Sequence, residues 1–153
     1  MAASAYLDGL KMLARRELSE AQVRQRLSRR GHELESIEAA VQRLKSERAI
    51  DDVRVAEAIA RTETTIKRHG RLRVRRQLEH AGIAPPTARG AVDEAFSSID
   101  DHALLEAALA KRLRGRTGIA DDREFQKLYR YLIAQGFEAD SVMRTLTAHR
   151  RRP

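Results

Sequence analysis

Apolar residues recur along this chain at intervals of three and four, and the same short pattern appears three times. Val23 and Leu27 are followed by Gly31, Val74 and Leu78 by Gly82, and Leu128 and Leu132 by Gly136. An i, i+4 aliphatic pair lies on one face of a helix. A glycine just beyond that face supplies the left-handed residue that ends a helix. The three copies stand roughly fifty residues apart, the signature of an internal repeat. A second set of markers keeps the same period. Ile50-Asp51-Asp52 and Ile99-Asp100-Asp101 each precede a new apolar pattern, Val55, Ala56 and Ile59 in one case and Leu104, Leu105 and Ala108 in the other. An aspartate in that place is a helix N-cap.

Each repeat therefore reads as three helices. They run roughly over 4–16, 19–30 and 33–47 in the first, 52–66, 71–81 and 86–97 in the second, and 101–113, 121–135 and 139–150 in the third. Ser19-Glu-Ala-Gln22 has the form of a capping box. Pro85-Pro86 opens a helix at the turn where proline is tolerated, although Gly90 within that helix is an unfavourable residue. Arg114 to Gly118 make the longest internal loop, and no alternating strand pattern occurs. The expected fold is all-α, an elongated, curved array of three tandem three-helix repeats with boundaries at 1–50, 51–99 and 100–153. A unit of about 50 residues buries little alone, so stacked copies share a core.

Composition narrows the function classes. There is no cysteine, which excludes disulfides, thiolate metal sites and cysteine nucleophiles. No secretory signal is visible at the N-terminus, and no apolar run approaches the roughly 20 residues of a membrane span. A cytoplasmic protein without membrane contact is expected. The histidines never fall in metal-ligand order, and no phosphate loop or nucleophile elbow occurs. Asp51-Asp52, Asp100-Asp101 and Asp121-Asp122 read as caps rather than metal ligands. Phe125, Tyr129, Tyr131 and Phe137 have the helical spacing of core residues rather than of a base-stacking platform. No constellation supports an enzyme, and no cofactor is expected.

Charge is the feature that points outward. The net charge is +8 and the isoelectric point about 10.5. The basic residues concentrate in the first two helices of each repeat: Lys11, Arg15, Arg16, Arg24, Arg26, Arg29 and Arg30, then Arg61, Lys67, Arg68, Arg71, Arg73, Arg75 and Arg76, then Lys111, Arg112, Arg114, Arg116, Arg123, Lys127 and Arg130. Acids such as Glu33, Glu35, Glu38, Glu47, Asp93 and Glu94 fall mainly in the third helices and junctions. Repeats stacked in register would align the cations along one side. The run Lys67 to Arg76 holds no acid, and with Val74 and Leu78 facing inward its arginines would splay over the exposed arc. Arginine suits bidentate pairing with phosphates and carboxylates. The alternative for any single arginine is an ion pair with a neighbouring helix.

The ordered set of markers resembles the RecX family of bacterial regulators of the recombinase RecA. The middle repeat carries the most specific part: Ile50-Asp51-Asp52, Val55-Ala56, Arg61, then Gly70, Arg73-Val74, Gln77-Leu78 and Gly82-Ile83. Ala14-Arg15-Arg16-Glu17-Leu18-Ser19 and the Leu27 to Gly31 helix end add to it, and the resemblance spans nearly the whole chain. The family usually has Leu at Ile50, an aromatic at Val55 and often Glu at Gln77. The resemblance implies a monomeric regulator without catalysis that lies in the groove of the RecA–DNA filament and lowers strand exchange, ATP hydrolysis and repressor cleavage, with weak direct binding to DNA. The expected contact residues are Arg15, Arg16, Arg24, Lys67, Arg68, Arg71, Arg73, Arg75 and Arg76. The rival expectation is a sequence-nonspecific DNA-binding helical protein that acts without RecA.

Overall fold

The computed structural model describes residues 4–152. Among them are nine α-helices: α1 (Ala5–Arg15), α2 (Glu20–Arg29), α3 (Leu34–Ser46), α4 (Asp52–Arg61), α5 (Arg71–His80), α6 (Pro85–Phe96), α7 (Asp101–Leu113), α8 (Asp122–Ala134) and α9 (Ala139–Ala148). No strand occurs among the described residues; a single parallel bridge joins Ile119 to Arg150. Nine helices, with ends within two residues of most of those expected, confirm the all-α reading. The aspartates cap as expected. Asp100 accepts from Ala103 N, Asp121 from Glu124 N and Asp51 from Arg54 N. The Ser19 capping box is complete.

Contacts gather into two compact units, residues up to Ile59 with Gln77–Ala91, and Ala60–Arg76 with Val92 onward. In the first, α1, α2 and α3 pack on one another around Met12, Leu18, Val23, Leu27, Ile37, Val41 and Leu44. Gly9 lets α1 cross α3 closely, since a Cβ there would lie 2.8 Å from Leu44 Cδ1. In the second, α7, α8 and α9 enclose Leu105, Leu109, Leu113, Phe125, Leu128, Leu132, Val142 and Leu146. The core reading holds for Phe125 and Phe137, which are buried, whereas Tyr129 and Tyr131 are half-buried on its rim.

One helix departs from expectation. The helix expected to run to residue 66 is α-helical only to Arg61, and Thr62–Ile66 form a π-helical turn. Thr64 Oγ1 donates to Ala60 O (2.8 Å) and Thr65 Oγ1 to Arg61 O (2.6 Å). Threonine hydroxyls that take carbonyls of the preceding turn compete with the backbone ladder, and here the ladder widens to Lys67 N→Thr62 O.

Each unit contains a joint where two helices meet end to end. In the first, buried Ser19 at the start of α2 donates its hydroxyl to Ala81 O at the end of α5. In the second, Gly70 N donates to Gln135 O (2.9 Å) and Leu72 N to Gly136 O (3.1 Å). The first N–H groups of one helix and the last carbonyls of another have no partner inside their own helices. At the second joint they satisfy each other, the N-terminal end of α5 against the C-terminal end of α8. The approach leaves no room for side chains: a Cβ on Gly70 would lie 2.5 Å from Gly136 O, and one on Gly82 would overlap Ala21 Cβ.

Candidate interaction surface

Several of the basic residues hold the scaffold together. In the first unit Arg24 belongs to the scaffold. Its guanidinium bridges Glu20 (2.7 Å) and Glu38 (2.8 Å), and Lys45 joins the cluster through Glu20 (3.2 Å). Burial works to raise the Glu20 carboxyl, but hydrogen bonds from Lys45 and Arg24 outweigh it and hold it below the ordinary glutamate range. Arg30 reaches Asp8 at 3.5 Å, and Arg54 on α4 pairs with Glu17 at 2.8 Å. Arg15 and Arg16 are exposed at the end of α1.

In the second unit the run Lys67 to Arg76 is not uniformly outward. Arg71 and Arg73 are half-buried, which corrects the expectation that they splay over the exposed arc. Arg71 Nε donates to Asp101 Oδ2 (3.0 Å), and its guanidinium stacks 4.8 Å from the centre of the Phe96 ring. Arg73 Nη1 caps the end of α8 through Ala134 O (3.0 Å). Lys67 Nζ lies 3.2 Å from Glu63. Arg75 and Arg76 are exposed, Arg76 reaching back to Leu72 O of its own helix at 3.4 Å. Arg68 is exposed in a left-handed conformation (φ 55°) that turns the chain from the π-helical turn into α5.

The acids were expected mainly in third helices and junctions. Two buried acids, Asp8 and Glu63, lie outside those places. Glu63, within the π-helical turn, is 4 % exposed, and His69 Nδ1 donates to it at 2.5 Å while Lys67 holds its other oxygen. Burial works to raise its carboxyl, but these two partners outweigh it and leave it lowered. In the first unit the His32 hydrogen bond (2.6 Å) is the main cause that lowers Asp8, against its burial and with help from Arg30.

These lowered carboxyls fix a pH dependence. A carboxyl lowered in the folded state contributes stability that is complete above its unfolded value, about pH 4, and lost as pH falls through the folded value. The urea midpoint is therefore expected to drop steeply below about pH 4, and the drop should be shallower in Glu63→Gln. Equal slopes in the two proteins would remove Glu63 as a source.

Two features of the surface were within reach of sequence reasoning but were left out of the expected set. Arg123, Lys127 and Arg130 stand at i, i+4 and i+7 on α8, all exposed. Arg112 lies over the Tyr131 ring at 3.7 Å, and Arg116 pairs with Glu124 at 2.5 Å. Among the described residues no cluster of three or more His, Asp or Glu side chains is placed to hold a metal ion. No helix among them is long and apolar enough to cross a membrane.

Comparison with known proteins fits this architecture. A family model described as the first three-helix domain of RecX matches residues 5–44, and one described as the second matches residues 51–92. Regulatory protein RecX of Chromohalobacter salexigens is 33 % identical over 137 residues, covering 88 % of this chain and 86 % of the relative. That of Halorhodospira halophila is 31 % identical over 134 residues, covering 87 % and 80 %. The crystal structure of RecX from Lactobacillus salivarius superposes with a TM-score of 0.70 over 94 % of this chain and 95 % of that one, at 20 % identity, a likeness of fold. With both three-helix domains matched in order and relatives aligned over most of their length, the chain belongs to the RecX family of regulatory proteins.

Proposed function

We propose that this protein binds the RecA–DNA nucleoprotein filament and modulates the recombinase, lowering filament growth, ATP hydrolysis, strand exchange and co-protease function. It acts as a cytoplasmic monomer, a regulator without a catalytic step or cofactor, built from repeats at 1–50, 51–99 and 100–153. Membership in a family of regulatory proteins carries this reading. The excess of basic residues supports it, since a net charge of +8 steers the chain toward an acidic nucleoprotein surface. Of the contact residues first expected, Arg15, Arg16, Lys67, Arg68, Arg75 and Arg76 are exposed, and Arg24, Arg71 and Arg73 are half-buried. Arg24, Lys67, Arg71 and Arg73 hold partners within the fold.

RecA ATP hydrolysis on single-stranded DNA, measured at low salt with sub-stoichiometric regulator, is expected to fall. Hydrolysis that continues at its full rate would refute the proposal. A second reading, sequence-nonspecific DNA binding without the recombinase, draws on the same net charge. It expects tight binding to naked duplex with a steep salt dependence that RecA does not alter.

A further inference from the structure

The third helix group carries a cationic surface that the expected contact set does not include. Arg123, Lys127 and Arg130 form a ridge along the outer face of α8. At 1.5 Å of rise per residue it extends about 10 Å, long enough to meet several phosphates of one strand. On one flank the ridge borders a cleft of about 830 Å³ into which Arg112, Arg114 and Arg116 also face. The acids of this cleft are already engaged. Glu124 pairs with Arg116 and accepts from Ala120 N (3.0 Å), and Asp121 caps α8. Among the described residues Arg123, Lys127 and Arg130 have no acidic partner, so the ridge presents a net positive surface.

The other flank is different in kind. There α8 and α9 enclose a groove of about 550 Å³ that includes Phe125, Tyr129 and Met143. Phe125 is covered by the Arg150 guanidinium (4.2 Å), itself bonded to Asp122 (2.8 Å). Tyr129 is half-buried and Met143 is 47 % exposed, so these two form the open apolar part. A row of cations between a basic cleft and an apolar, aromatic seat matches a chain with phosphates along one edge and unpaired bases along the other. A duplex hides its base faces in its own stack and gains nothing from the seat. A single strand gains both the phosphate contacts and the stacking.

We infer that α8 and the α7–α8 loop form a binding site for the backbone of single-stranded nucleic acid, with Arg123, Lys127 and Arg130 on the phosphates and Tyr129 and Met143 receiving a base. The site shares no residue with the contact set expected from sequence. It acts without the recombinase, so its test stands apart from the function proposed above.

The test is fluorescence anisotropy of a labelled oligothymidylate with the full chain and no RecA. The triple variant Arg123→Glu/Lys127→Glu/Arg130→Glu changes only exposed side chains, and its helicity should match the parent by circular dichroism. Its affinity is expected to fall at least about tenfold at low salt, and the slope of log K against log salt to shrink by about 2, three phosphates at roughly 0.7 each. Tyr129→Ala should weaken binding to the single strand several-fold and leave duplex binding unchanged. Three results would overturn the inference: an unchanged slope in the triple variant, a duplex bound as tightly as the single strand, or an equal loss in Arg15→Glu/Arg16→Glu.

Discussion

Replacing Gly136 by alanine is expected to destabilise the chain by about 3 kcal/mol, adding steric overlap to the ordinary cost of a left-handed non-glycine residue. Gly136 has φ +99°, and a Cβ there would overlap Arg73 Cβ, lie 2.5 Å from Arg73 N and 2.9 Å from Gly70 O. The last two are backbone atoms of a segment held by the Gly70 N and Leu72 N hydrogen bonds to Gln135 and Gly136. They cannot step aside without opening the joint and leaving the donor of buried Gly70 unpaired. Gly31 is the internal control: its φ is +89°, but nothing lies within 4 Å of a Cβ built on it. Gly31→Ala therefore carries conformational strain alone, about 1 kcal/mol. Gly82→Ala, φ +78°, meets only the Ala21 side chain closely and should fall between them. The expected order of urea midpoints is Gly31→Ala above Gly82→Ala above Gly136→Ala. At about 2–4 °C per kcal/mol for a chain of this size, Gly136→Ala should also melt roughly 6–12 °C below the parent. If Gly31→Ala and Gly136→Ala lose the same stability, the end-to-end joint contributes nothing beyond the helix stop.

The three glycines illustrate what the sequence made legible. That each ends a helix follows from local pattern, the aliphatic pair four apart and a glycine beyond it, and all three adopt positive φ. Capping by Asp51, Asp100 and Asp121 was legible for the same reason, because a cap involves only the next three residues. That Gly82 and Gly136 also admit another helix end was not legible. The partners, Ser19 and Gly70, lie more than sixty residues away, and only the packed fold brings them there. Gly31 has the same local pattern and no such neighbour, so pattern alone cannot tell the three apart. The π-helical turn lay between these extremes. Thr62, Thr64 and Thr65 are poor helix formers that offer hydroxyls to the backbone. They signal a weak stretch without saying which way it yields.

The contact residues were legible as a group and not one by one. Charge density marks the run Lys67 to Arg76, but whether an arginine faces solvent depends on what the fold places opposite it. Asp101 and Phe96 meet Arg71, and the end of α8 meets Arg73. Glu38, from the next helix, meets Arg24. No spacing rule within one helix anticipates these pairings. Burial and partner geometry sort one run of basic residues into two roles, and that sorting has a measurable consequence.

Arg68→Glu/Arg76→Glu is expected to lose inhibition of RecA while keeping the stability of the parent, and Arg73→Ala is expected to do the reverse. Arg68 and Arg76 are exposed, and among the described residues neither holds an acid or another helix. Reversing both removes four units of charge from the surface that would meet the filament. Long-range steering then turns against encounter, so the concentration for half-inhibition should rise at least about tenfold at low salt and the difference should narrow as salt is added. Arg68 already has φ 55°, a strain borne by either side chain, so the exchange for glutamate leaves the backbone cost unchanged. Arg73 instead donates to Ala134 O and packs its stem against Gly136, at the same joint that Gly136→Ala would open. Truncating it removes a charge-assisted bond to an end carbonyl, worth about 1–2 kcal/mol, with one unit of surface charge. Titrating RecA ATP hydrolysis with each variant beside a thermal melt separates the two roles. The assignment fails if Arg73→Ala weakens inhibition more than Arg68→Glu/Arg76→Glu does at temperatures where both are folded, for the run would then bind through its half-buried members and not through its exposed ones.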